Sequence, residues 1–360
     1  MTQLALVLAA LAAAAALVPL RPEWIESAYS MGVYPVIQRS LTASSNRTAV
    51  ALFDVMVLGT TVVWILWLVR DLRRWRWTRA LAKVAARTVA VAAALYLAFL
   101  VSWGLNYRRV ALEDRLGLDS RAVTEDAAVR LGRTAATELN RLYPSRRSTP
   151  SPLGPDLVDP ALAQGFDEVQ RRLGATRLAV PARPKRSVFD WYFRAASIDG
   201  MTDPFLLETL TPSTLLPIEQ PMILAHEWAH LAGYADEGEA NFVGWLTCLG
   251  ADDNARYSAW LFLYSEALSG MPGDARKRID DSLEAGPRGD LRAVSERARR
   301  EVSPIVSAMG WRVYDQYLKA NGVERGTRSY TDVVRLVMGT ELGTRALWAA
   351  SSSDRSERHP

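Results

Sequence analysis

The stretch Pro221–Leu246, PMILAHEWAHLAGYADEGEANFVGWL, holds two of the chain's three histidines only four positions apart. On a helix, residues i and i+4 stand one turn apart on the same face. His226 and His230 can therefore aim two imidazoles at one cation. Glu227 follows the first histidine and can reach a water bound to that cation. This is the H-E-x-x-H arrangement, in which the histidines hold zinc and the glutamate acts as general base. The bland alternative is a core helix with two incidental histidines. It is disfavoured because the motif falls where a helix is predicted. Pro221 suits a first helical residue, and Gly233 suits a left-handed cap that ends the helix.

Catalytic zinc needs a third protein ligand and an open position. His359 lies in a polar tail and is a poor candidate. Cys248 is the only cysteine, which excludes an internal disulfide and a cysteine-based zinc site; a lone buried thiol is its ordinary role. Three acids remain. Asp236 fits H-E-x-x-H-x-x-G-x-x-D, the spacing at which metzincins place a third ligand. Glu239 sits near the start of a second predicted helix, Glu237 to about Leu249, where gluzincins place a returning carboxylate. Glu237 reads as an outer acid that orients a ligating histidine. The expected metal set is His226, His230 and Glu239, with Asp236 next. Tyr257, Tyr314 and Arg312 are candidate donors to an oxyanion, but nothing in the sequence locates them.

Outward from this site, polarity changes sharply along the 360 residues. Three apolar runs, about 4–20, 49–69 and 88–107, each approach the roughly 20 residues that a helix needs to cross a bilayer. The first lacks a basic leader and reads as a retained anchor rather than a cleaved signal. Arg70 to Arg87 is crowded with Arg and Lys, and short basic loops stay cytoplasmic. The N-terminus is then expected in the cytoplasm and everything after about Leu105 outside it. Asp54, inside the second run, reads as a residue that reaches the interface. The net charge of +4 comes with no nucleic-acid motif, and the basic run reads as a topology and lipid-contact signal.

The expected organisation is a membrane anchor over 1–107, a helix and a Pro/Ser-rich linker over 108–160, a metal-binding domain over 161–349 and a disordered tail over 350–360. Helical spacing marks Leu118–Tyr143, Ala161–Leu173 and Ala255–Leu268. Arg186–Pro217 reads as short strands, although VFDWYFRAA within it also suits a helix. Pro204–Leu216 is a candidate edge strand for pairing with an extended peptide. Pro304 should split the long helical stretch that ends at Gly322.

AHEWAHLAGYADEGEANF, WGLNYRR (Trp103–Arg109), RYSAWL (Arg256–Leu261), and YDQYLKANG followed by RSYTDVVRLV together resemble a bacterial membrane family catalogued as a domain of unknown function (number 3810). The resemblance runs from the first span to Leu336. It implies three N-terminal spans and a zincin-like outer domain, and it carries the third-ligand role onto Glu239. It supplies no substrate.

The combined expectation is a mainly α protein. Three N-terminal transmembrane helices precede a mostly helical, zincin-like extracytoplasmic domain with a small β element. The expected activity is zinc-dependent hydrolysis of a peptide or protein at a lipid bilayer, with Glu227 as base. The alternative is a structural zinc site in a non-catalytic binding or scaffold protein. The motif helix, bounded by Glu219 and Asp236, is too short to lie across a membrane as in an intramembrane protease.

Overall fold

The computed structural model describes residues 2–146, 157–321 and 332–356. The chain is mainly helical with one small sheet. Two helices, Leu52–Arg74 and Trp77–Ser102, are long and apolar enough to cross a membrane, each with a mean hydropathy of 2.1. They run past the expected limits into the basic stretch, leaving only a tight turn between them. Arg and Lys are good helix formers, and Asp71 accepts an ion pair from Arg87 across the two helices.

The first apolar run forms Thr2–Leu17 and packs along Trp77–Ser102. At 1.5 Å per residue its 16 residues reach about 24 Å, short of the roughly 30 Å hydrocarbon core. It passes as a span only together with Pro22–Ser45, and the pair is bent by 108°. Among the described residues, the helices long and apolar enough to cross a membrane thus number two, or three if the bent pair counts as one span.

The bend has a polar cause. Pro22–Ser45 turns into the helical body that follows the two long apolar helices, where Gln38, Thr42 and Ser45 are buried. Gln38 donates to the Val180 carbonyl and accepts from Val180 N, and Thr42 donates to the Leu207 carbonyl at 2.8 Å. Buried polar groups need such partners, so this arm belongs to the core of that body. The main hydrophobic cluster accordingly runs from Ile25 and Tyr34 to Met338. Trp228, Trp245 and Trp260 are its largest fully buried members.

The expected outer helices appear as Glu125–Leu142, Pro160–Arg172 and Asp253–Ser269. Thr124, Asp159 and Asp252 cap their first turns with side-chain oxygens, as N-cap residues do. Pro304 starts a new helix, Pro304–Ala320, after Ala285–Arg300 ends. VFDWYFRAA resolves to the helix Asp190–Ala196. A final helix, Glu341–Ser356, reaches into the polar tail expected to be disordered. Most of the Pro/Ser-rich linker lies outside the described residues.

The sheet has the order β1-β3-β2, with β1 Pro184–Lys185, β2 Met201–Thr202 and β3 Thr209–Leu210. The segment expected to supply an edge therefore supplies the centre, and β2 is an edge. Beside it, Lys185 is fully buried against Glu208 and also donates to the Ser45 carbonyl at 2.9 Å and the Val50 carbonyl at 3.1 Å. Ser45 Oγ reaches Glu208 at 2.7 Å. This pair pins the arm to the sheet.

Removing one partner of a buried pair strands the other charge. Lys185→Met should cost about 3–5 kcal/mol, read as a lowered denaturation midpoint of the detergent-solubilised protein. A midpoint equal to wild type would show that the pin carries no stability.

Candidate metal centre

The histidine helix spans Gln220–Leu231. Ser258 holds its start, accepting from Met222 N at 3.1 Å and donating to the Glu219 carbonyl at 3.3 Å. Its end is held from the membrane side. Trp103 Nε1 donates to the His230 carbonyl at 2.9 Å, and Tyr34 Oη donates to the Leu231 carbonyl at 2.8 Å. Arg109 donates to the Gly233 carbonyl at 2.9 Å while paired with Glu26 at 2.7 Å. The Leu231 carbonyl is one that a helix end leaves without an internal partner, whereas the His230 carbonyl also accepts from Gly233 N at 2.9 Å. Gly233 has φ of 85°, and a Cβ there would meet Asn106 Oδ1 at 2.9 Å.

A second helix, Glu237–Leu249, packs across the first. Asp236 caps it, accepting from Gly238 N at 2.9 Å and Glu239 N at 3.1 Å. Asp236 is thus engaged in ending a turn, and burial pushes its carboxyl up to about 6 against those two donors. Close packing depends on Gly244, where a Cβ would lie 2.9 Å from the His226 amide nitrogen.

His226, His230 and Glu237 come together here, with one ligand atom from each lying within 4.8 Å of the others. The two Nε2 atoms are 3.1 Å apart. Glu237 Oε2 stands 3.2 Å from His226 Nε2 and 3.5 Å from His230 Nε2. That oxygen is buried and makes no hydrogen bond. Zinc bonds of about 2.0–2.1 Å would set tetrahedral ligand atoms roughly 3.3 Å apart, so the three atoms fit one cation. His230 Nδ1 contacts the Tyr234 carbonyl at 2.7 Å. That bond places the ring proton on Nδ1 and leaves Nε2 as the ligating lone pair.

The expected third ligand, Glu239, stands elsewhere. Its Oε1 accepts from Leu112 N at 2.5 Å. Burial pushes its carboxyl up to about 7, opposed by that amide, Arg109 and Arg115. The physical reason is helical periodicity: two residues on a helix are about 200° apart, so Glu237 and Glu239 cannot face the histidines together.

Without a metal, charge is balanced by a proton. Burial works against a charged His230, but Glu237 outweighs it and pushes the imidazole up to about 9. Burial likewise opposes ionisation of Glu237, yet His230 and His226 hold its carboxyl far below the usual range. A metal entering here must displace that proton.

Glu227 is buried beside the cluster. Burial raises its carboxyl, opposed by His226 and His230. Its Oε2 accepts from Thr202 Oγ1 at 2.8 Å, so the β2 edge strand lies over it. A Cβ at Gly200 would sit 2.4 Å from Glu227 Oε1; the carboxylate occupies space that only glycine leaves open. Of the three candidate oxyanion donors, Tyr314 is brought to the cluster and donates to Glu237 Oε1. Tyr257 instead donates to Asp290 at 2.7 Å, and Arg312 is exposed on the Pro304–Ala320 helix. His359 lies outside the described residues.

A family model described as "Protein of unknown function (DUF3810)" matches residues 29–338. No curated protein and no solved structure matches the chain.

The geometry separates the two glutamates by experiment. His226→Ala, His230→Ala and Glu237→Gln should each weaken metal binding by more than the roughly 10–100-fold caused by losing an outer hydrogen-bond partner. Glu239→Gln, which keeps an acceptor for Leu112 N, should leave metal content near wild type. Elemental analysis of the purified full-length protein reads this directly. Loss of metal in Glu239→Gln with retention in Glu237→Gln would reverse the assignment.

Proposed function

We propose that this chain, which belongs to the DUF3810 family of proteins of unknown function, is a membrane-anchored zinc-dependent hydrolase acting on peptides. One observation carries the reading: a His226–His230–Glu237 cluster, with His230 and Glu237 buried and His226 partly exposed, the Glu227 carboxylate beside it and the β2 edge above. His226, His230 and Glu237 would hold the zinc. Bound zinc polarises a scissile carbonyl and makes water acidic enough to attack at neutral pH.

The protein's own groups supply the rest. Glu227 takes a proton from the attacking water and delivers it to the leaving amine. Its buried setting, which raises its affinity for that proton, suits both transfers. Thr202 fixes the carboxylate's orientation through its hydroxyl. An extended peptide would add to the sheet along β2, by the main-chain pairing through which edge strands take up peptides. The Tyr314 hydroxyl, already at the cluster, is the donor for charge developing on the carbonyl oxygen. The basic run Arg70–Arg87 assigns the turn between the two long helices to the cytoplasm; the site then works on the outer side.

A purely structural zinc site normally has four protein ligands. Among the described residues the cluster has three His, Cys, Asp or Glu members, which favours the catalytic reading.

Glu227→Gln should retain metal and lower peptide turnover by about 10²–10⁴-fold, the usual contribution of a positioned acid–base group. Gly200→Ala, which crowds the same carboxylate, should also lower turnover with metal retained. A peptide-library assay on the reconstituted protein measures both. Equal cleavage by wild type and Glu227→Gln, both metal-loaded, would remove Glu227 from the mechanism.

A further inference from the structure

The Pro304–Ala320 helix carries an apolar stripe with no partner. Ile305, Met309 and Val313 follow one another at intervals of one turn and are 73%, 61% and 67% exposed. The neighbouring segment adds Val188 and Trp191, 65% and 60% exposed. A soluble surface rarely leaves so much large apolar area open without a binding role.

The location of the stripe identifies what covers it. The amino-terminal half of the helix packs on Asp190–Ala196, with Ser303 N donating to the Ala195 carbonyl at 3.0 Å. The segment just before that short helix is tied to a membrane-crossing helix. Asp54, in the first turn of Leu52–Arg74, accepts from Ser187 Oγ at 2.6 Å and from Val188 N at 2.7 Å. The carboxyl-terminal half rests on the other crossing helix. The Tyr317 ring lies 6.0 Å from that of Phe99, in the last turn of Trp77–Ser102. The start of Leu52–Arg74 and the end of Trp77–Ser102 leave the membrane on the same side, because a tight turn joins their other ends. Both halves of the helix therefore stand against membrane exits.

We infer that Pro304–Ala320 lies in the bilayer surface, with Ile305, Met309 and Val313 set into the boundary between headgroups and acyl chains. The helix has the composition of an interfacial segment. Trp191 is a residue type that favours this depth, and Arg312 and Lys319 lie along one edge of the stripe, as basic residues border the apolar face of interfacial helices. Met309 and Tyr314 are five positions apart, about 140° around the helix. One side of the helix thus meets lipid while Tyr314 on another meets Glu237. The helix is a wall shared by the bilayer and the His226–His230–Glu237 cluster. This inference rests on the membrane-crossing helices and not on the hydrolase reading.

The test uses the full-length protein in nanodiscs that hold one copy each. Cys248 is buried and stays unlabelled, so an environment-sensitive fluorophore can be attached at Met309→Cys, at Ile305→Cys and, as a control, at Lys277→Cys on the exposed face of Gly273–Ser282. At 305 and 309 the probe should emit to the blue of the control. It should be quenched by spin-labelled acyl chains and be several-fold less accessible to iodide. Iodide access at both positions equal to that at 277 would overturn the inference. So would shielding that appears only when discs hold two copies, since the stripe would then be covered by a second chain.

Discussion

The carboxyl end of one short helix fixes the rest of the molecule. The carbonyls of His230, Leu231 and Gly233 are received by Trp103, Tyr34 and Arg109. Each donor comes from chain that borders a membrane-crossing or bent apolar segment. The three bonds act together on the position of His230, beside the turn bond from Gly233 N to the His230 carbonyl. The imidazole of that residue is held again from its other side, through Nδ1 and the Tyr234 carbonyl. The apolar helices and the His226–His230–Glu237 cluster are therefore parts of one packed unit.

The sequence was most readable where local rules suffice. Pro221 and Gly233 marked the limits of the histidine helix to within two residues, because a proline start and a glycine stop are local backbone effects. The helix beginning at Glu237 was equally plain. Which acid stands with the histidines was not, because it depends on how two helices cross. One signal was present: Gly244 follows Glu237 by seven residues, which returns to nearly the same helical face. A small residue there marks the side that approaches the histidine helix closely. Glu239, on the opposite side, stays with Leu112.

The arm Pro22–Ser45 and the edge strand were hidden for a different reason. Gln38, Thr42 and Ser45 look like a polar surface in isolation. They are buried because Val180, Leu207 and Glu208 supply partners more than a hundred residues away. Strands of two residues leave no alternating pattern to detect, so the order of the sheet could not be read from Arg186–Pro217. The WGLNYRR segment was visible as a motif, but its task as the cap of a distant helix is a tertiary fact.

That cap also counts crossings. Tyr34 and Trp103 touch adjacent carbonyls of the same helix, so the chain between them must leave and return on one side of the bilayer. Whatever the thickness of the membrane or the charge of its loops, the number of passages between residues 34 and 103 is even. Two candidate helices fill that interval, and a single passage is incompatible with a formed site. The chain before Tyr34 lies outside this interval, and the parity rule does not bind it.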